Sequence, residues 1–178
     1  EIRRLNTSLE QRVAERTAQL AEQGQELREA KGFLEHLIAT SQVTMMRIDL
    51  HDVTLTYVSP NVQRLLGYPA QEIIGVPMWW PEHIHREDRE RVLADLVRLP
   101  HGPADQVELE HRLLHKDGNY RWIYAVLRLE RDHAGNPASV LAYGVDITDR
   151  KAAEEALQLA KEEAERASLA KSEFLSRM

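Results

Sequence analysis

The chain contains no cysteine. Disulfide bridges, thiolate metal sites and cysteine nucleophiles are thereby excluded, and a reducing compartment is permitted. No apolar run approaches the roughly 20 residues that a membrane span requires, and no secretory leader opens the sequence. There is no excess of positive charge. The net charge of −6 argues against broad attraction to nucleic acid or to anionic lipid. No glycine-rich phosphate loop is present and no serine stands in a nucleophile motif, so no catalytic residue is expected. Both flanks lack proline: all seven prolines lie between Pro60 and Pro137. The first residue is Glu1 in a helical context, and the expectation is a segment excised from a longer protein.

What is present divides the 178 residues into three parts. Glutamate, glutamine, alanine, arginine, lysine and leucine dominate residues 1–37 and 149–178, and these residues favour helix. Residues 38–148 hold the prolines, nearly all the histidines and most of the glycines. The expectation is an N-terminal coiled-coil helix, a compact mixed domain and a C-terminal helix. A hydrophobic fraction of 43% with 29% charged residues is globular or coiled-coil composition rather than that of a disordered chain.

The first helix carries heptads. One seam is Asn6, Val13, Leu20, Leu27 and Leu34; the other is Ile2, Leu9, Arg16, Gln23, Ala30 and Leu37. Alternating steps of four and three are the spacing of a left-handed coiled coil. A stripe of more than 30 residues exceeds what a small domain covers, so the reading is a parallel homodimer. The last helix has a thinner seam: Ala153, Leu157, Ala160, Ala164, Ala167, Lys171, Phe174 and Met178. Alanines bury little area, so this seam is open to more than one packing. Thr148 reads as its N-cap. Glu154-Glu155 and Glu162-Glu163 read as solvated faces.

Between the flanks, Thr44–Asp49 and Leu55–Ser59 read as short strands. Ser59-Pro60 reads as a capped helix start, ending at Gly67, with a helical turn over Pro69–Ile74. Arg86–Leu99 reads as a longer amphipathic helix whose early Glu87, Asp88 and Glu90 favour its positive end. Three strands follow, Gln106–His115, Tyr120–Glu130 and Ala138–Ile147, with turns at Asp117-Gly118 and Gly135-Asn136. This is an α+β pattern with helices gathered on one sheet face.

Several short stretches in this order resemble the PAS/PAC family of sensory domains, over about residues 33–149. They are Tyr57-Val58-Ser59-Pro60-Asn61, Leu66-Gly67-Tyr68, Glu72-Ile73-Ile74-Gly75, Ile84-His85 with Glu87-Asp88-Arg89, Lys116-Asp117-Gly118 with Tyr120-Arg121-Trp122, and Asp146-Ile147-Thr148. The resemblance implies a five-stranded antiparallel sheet with a helical lid. Leu9 to Thr17 is similar to the helix that joins a membrane-linked sensor to cytoplasmic modules in many histidine kinases. Lys171 to Met178 looks like the start of a kinase dimerisation and phosphoacceptor helix. The implied parent is a two-component sensor histidine kinase that phosphorylates a response regulator. It would be cytoplasmic, with an anchor in the inner membrane as one arrangement. The segment itself, ending before the phosphoacceptor histidine, would not be an enzyme. A docking-only module, or a relay to a cyclic-dinucleotide cyclase, is the alternative.

By the same resemblance, Asp146, Thr148 and Arg121 are the relay residues, with Asp146 pairing to a basic residue near the Lys116–Arg121 hairpin. Met45, Arg47, Tyr57, Trp80 and Trp122 are the expected lining of a pocket for an unidentified small molecule. His83, His85 and His111 invite a metal reading, but their spacing suits no standard zinc site, and none is expected. No cofactor is expected either. Haem in this family is held by a histidine on the long helix, and Arg86–Leu99 has none. Cysteine-adduct flavin chemistry is excluded, while non-covalent flavin stays open.

Overall fold

The computed structural model describes the backbone of residues 2–176 and the side chains of residues 12–169. Two compact units divide after Ser41. The first is one helix, α1 (Ile2–Thr40), three residues longer than its heptad pattern. Its described seam side chains are exposed within the chain: Leu20 is 67% and Leu27 71% accessible, and Val13 and Leu34 are similar. Leu9 and Phe174 lie outside the residues whose side chains are described.

The second unit is an α+β domain with an antiparallel five-stranded sheet in the order β2-β1-β5-β4-β3. The strands are β1 (Thr44–Asp49), β2 (Leu55–Val58), β3 (Gln106–Leu114), β4 (Tyr120–Arg131) and β5 (Pro137–Asp146). Alternation sends Met46, Ile48, Leu109, His111, Leu113, Ile123, Ala125, Leu127, Leu129 and Val140 to one face. That face packs on α2 (Val62–Leu66), α3 (Trp79–His83) and α4 (Arg86–Arg98), whose Leu66, Trp80, Val92 and Leu96 complete a single core. The tight β3–β4 and β4–β5 connections contain Gly118 and Gly135, both at positive φ.

Local chemistry departs from expectation between β2 and α2. Ser59 does not cap a helix at Pro60. Its hydroxyl oxygen accepts the Met45 N–H at 2.8 Å, and its hydroxyl donates to Asn61. This couples β2 to β1, and the helix starts two residues later than Pro60, at Val62. Gly67 closes α2 in the left-handed region (φ 79°), and a Cβ there would stand 2.9 Å from Lys116 Cβ. Helix α3, which contains Pro81, lies where the sequence reading assigns no element. Helix α5 (Thr148–Ser176) leaves the end of β5 directly.

Candidate functional site

Two features of the sheet domain are candidates: the interior beneath the helices, and the joint between the sheet and α5.

In the interior, His111 is 1% accessible, and neither ring nitrogen has a hydrogen-bond partner among the described residues. Trp80 meets it edge-on, with ring centroids 6.2 Å apart. The two line a small cavity of about 20 Å3 together with Thr44, Met46, Leu65, Ile123 and Leu127. That is room for about one water molecule. Burial pushes the imidazole pKa down to about 4, so the ring is neutral near pH 7 and offers one donor and one acceptor. Leaving such a group unsatisfied costs roughly 1–3 kcal/mol. The interior is therefore mostly apolar, with the uncharged polar side chains of His111 and Thr44 on its lining.

Four of the five expected pocket residues are not there. Trp80 lines the cavity, but Met45, Arg47, Tyr57 and Trp122 lie on the opposite sheet face. Strand parity decides this: burying Met46, Ile48 and Ile123 turns Met45, Arg47 and Trp122 away. Arg47 sits opposite Tyr57 on that outer face and pairs with Glu130. The three histidines are also dispersed. His83 stacks on Trp79, His85 caps α4 by accepting from the Glu87 N–H, and His111 is interior. Among the described residues no cluster of three or more metal-ligating side chains occurs.

At the joint, hydrogen bonding runs past the end of the sheet. The Ile147 N–H donates to the Trp122 carbonyl at 2.8 Å, and the Trp122 N–H donates to Thr148 Oγ1 at 3.0 Å. Thr148 is thus not the N-cap. It is the first helical residue, and its side chain faces back to β4. The capping role falls to Asp146, whose carboxylate accepts the Thr148 N–H at 2.8 Å. Arg121 does not reach Asp146; it pairs with Asp117 within its own hairpin, 3.1 Å away. Asp146 and Asp149 instead line a polar cleft of about 360 Å3 with Gln42, Asn61 and Arg64.

A charged network, not foreseen from the sequence, surrounds this joint. Glu110 of β3 pairs with both Arg150 and Lys151 in the first turn of α5, which hold its carboxyl below the usual range. The cations of Lys151 and Arg112 lie 5.2 and 5.1 Å from the Trp122 ring centroid, within cation–π range. Arg112 in turn donates from its backbone N–H and Nε to Asp88 Oδ2, each at 2.9 Å, and from Nη2 to Glu87. The Arg112 hydrogen bond lowers the Asp88 pKa. Glu87 and Asp88 therefore bind β3 rather than simply favouring the start of α4.

A family model described as "PAS fold" matches residues 55–143, half of the sequence. The chain belongs to the PAS-fold family. Among similar solved structures is a sensory box histidine kinase/response regulator from Burkholderia thailandensis, 27% identical, covering 75% of this chain and 98% of that one, with a TM-score of 0.60. Another is the N-terminal domain of a diguanylate cyclase with PAS/PAC sensor from Marinobacter aquaeolei, at 28% identity and a TM-score of 0.54, covering 61% and 98%. A curated relative, the methyl sulfide methyltransferase-associated sensor of Methanosarcina acetivorans, is 28% identical over 99 residues. Those residues are 56% of this chain and about a tenth of the relative's length. The PAS domain here is thus a sensor module of the kind that occurs in signalling proteins. Among the described residues, no helix is long and apolar enough to cross a membrane.

Proposed function

We propose that this PAS domain is the sensory and relay segment of a two-component histidine kinase. In this reading residues 1–37 are an input coil, residues 38–148 the sensor, and residues 149–178 the output helix that leads to the kinase. The segment has no catalytic role of its own and works as a parallel homodimer. Its parent phosphorylates a response regulator in the cytoplasm. The signal enters as a change in the packing around His111, whose cavity of about 20 Å3 has room for about one water molecule and not for a larger ligand. A resident haem or flavin is not part of the proposal.

The observation that carries the reading is the joint. The strand at the centre of the sheet runs without a linker into a 29-residue helix, and that helix is hydrogen-bonded to β4 at its first residue. Sheet movement therefore becomes helix movement, and a helix seam rich in alanine has two packings of similar energy to choose between.

The test is autophosphorylation of the parent protein with insertions after Ala156. Seven residues restore the heptad register and should preserve signalling, whereas three or four should disrupt or invert it. Equal activity for every insertion length would remove α5 as the output path and leave the docking-only reading. The diguanylate cyclase relative favours a second reading, the same relay feeding a cyclase; the kinase-like Lys171 to Met178 stretch weighs against it.

A further inference from the structure

Consecutive residues of β3 face opposite ways. His111 points into the interior, while its neighbours Glu110 and Arg112 point outward and grip other elements. Glu110 holds the first turn of α5 through Arg150 and Lys151. Arg112 holds the first turn of α4 through Asp88 and Glu87. The strand is at the edge of the sheet and makes a ladder only with β4. Its other edge is bound by α4 and the residue before it. The Arg91 guanidinium donates to the Glu110 carbonyl at 2.7 Å, and the His85 N–H donates to the Arg112 carbonyl at 2.9 Å.

We infer that β3 is the strand by which a change in the interior reaches α5, with Glu110 as the positioning residue that hands it over. The geometry supplies the mechanism. Residues 110 and 112 lie one step of about 3.3 Å on either side of residue 111 along the strand. A displacement of the backbone at His111 therefore moves both outward side chains. As the edge strand, β3 has its outer groups bound by α4 and His85 rather than by a second ladder, so a shift of β3 is passed to side chains rather than to another strand. Glu110 receives two cations from adjacent positions of α5, so a small shift changes the balance between Arg150 and Lys151. This route adds to the hydrogen bonds at Asp146, Ile147 and Thr148, and it meets them at Trp122, the ladder partner of Arg112. The inference rests on the sensory reading only for what perturbs the interior; the link itself operates in the chain without a ligand.

The experiment is amide hydrogen–deuterium exchange on the 178-residue chain, comparing residues 149–156 with the amides of β4. The interior is perturbed by His111→Ala, with His111→Leu as the volume-conserving variant should the alanine variant not fold. Each is made with Glu110 present and with Glu110→Gln. The expected result is a severalfold change of exchange in residues 149–156 on changing position 111, faster for the alanine variant, and little effect once Glu110 is Gln. Leu55→Ala, an interior change on the far strand β2, should leave the ratio unaltered. No change at residues 149–156, an equal response with and without Glu110, or the same response to Leu55→Ala would each overturn the inference. Kinase output of the proposed parent that is indifferent to insertions after Ala156 would overturn the sensory reading and leave this one standing.

Discussion

His111 is a titratable group buried in an apolar interior, with 1% of its surface accessible. Its pKa falls from about 6.5 to about 4 on folding, so the unfolded chain binds the proton more tightly. Stability is accordingly lost as pH falls from about 6.5 towards 4, by up to about 3 kcal/mol from this group. His111→Leu should abolish that slope, and by removing an unsatisfied polar group it should raise stability at pH 7 by about 1 kcal/mol or more. Urea melts of both proteins at pH 7 and pH 5 measure the difference, and parallel pH profiles would refute the assignment. Asp88 behaves in the opposite sense. Its pKa is lowered by Arg112, so its contribution is present above the usual carboxylate range and is lost as pH falls below about 4. Asp88→Asn removes the charged acceptor from Arg112 and should cost about 2 kcal/mol in the same melts. The sequence held the information needed to put His111 inside, because Leu109 and Leu113 flank it at a period of two. In β1 parity was ambiguous: Met45 and Met46 are equally apolar, and only the burial of Ile48 decides between them.

At the level of elements, hairpins and long helices were legible because each carries its own local signal. Asp117-Gly118 and Gly135-Asn136 marked the turns between β3, β4 and β5, and heptads marked α1. What was not legible depends on partners distant in sequence. The Thr148 hydroxyl looks like a cap by local rules, yet the acceptor role it fills is for Trp122, 26 residues earlier. Helix α3 is one turn containing Pro81 and is held by the burial of Trp79 and Trp80 rather than by helix propensity. Thr148→Ala should therefore loosen the tie between β4 and α5. The expected cost is about 1 kcal/mol, small beside a domain stability of about 5–15 kcal/mol. Thermal melting should change little while, if the proposed kinase parent is assayed, its output shifts severalfold. An unchanged output would show that the tie plays no part in relay.

At the scale of the whole molecule, the described apolar seam residues of α1 find no cover within the chain, with Val13, Leu20, Leu27 and Leu34 all more than half exposed. A parallel homodimer would bury them. Sedimentation at tens of micromolar should report a dimer, and Leu20→Arg should weaken it tenfold or more, because a charge in the seam must be desolvated. A monomer under those conditions would refute the coil. The purified chain should also show no flavin or haem absorption band; a stoichiometric band would overturn the expectation of a cofactor-free interior. The grip of α4 on β3 has one more consequence, which concerns what the protein avoids. An open sheet edge is a template on which foreign strands can add. Here the carbonyls of Glu110 and Arg112 and the N–H of Arg112 are already engaged by Arg91, His85 and Asp88, and the opposite edge, β2, is only four residues long. Strand-by-strand growth into fibrils is thereby discouraged at both ends of the sheet, so copies of this chain can be brought close along their helices without their sheets fusing.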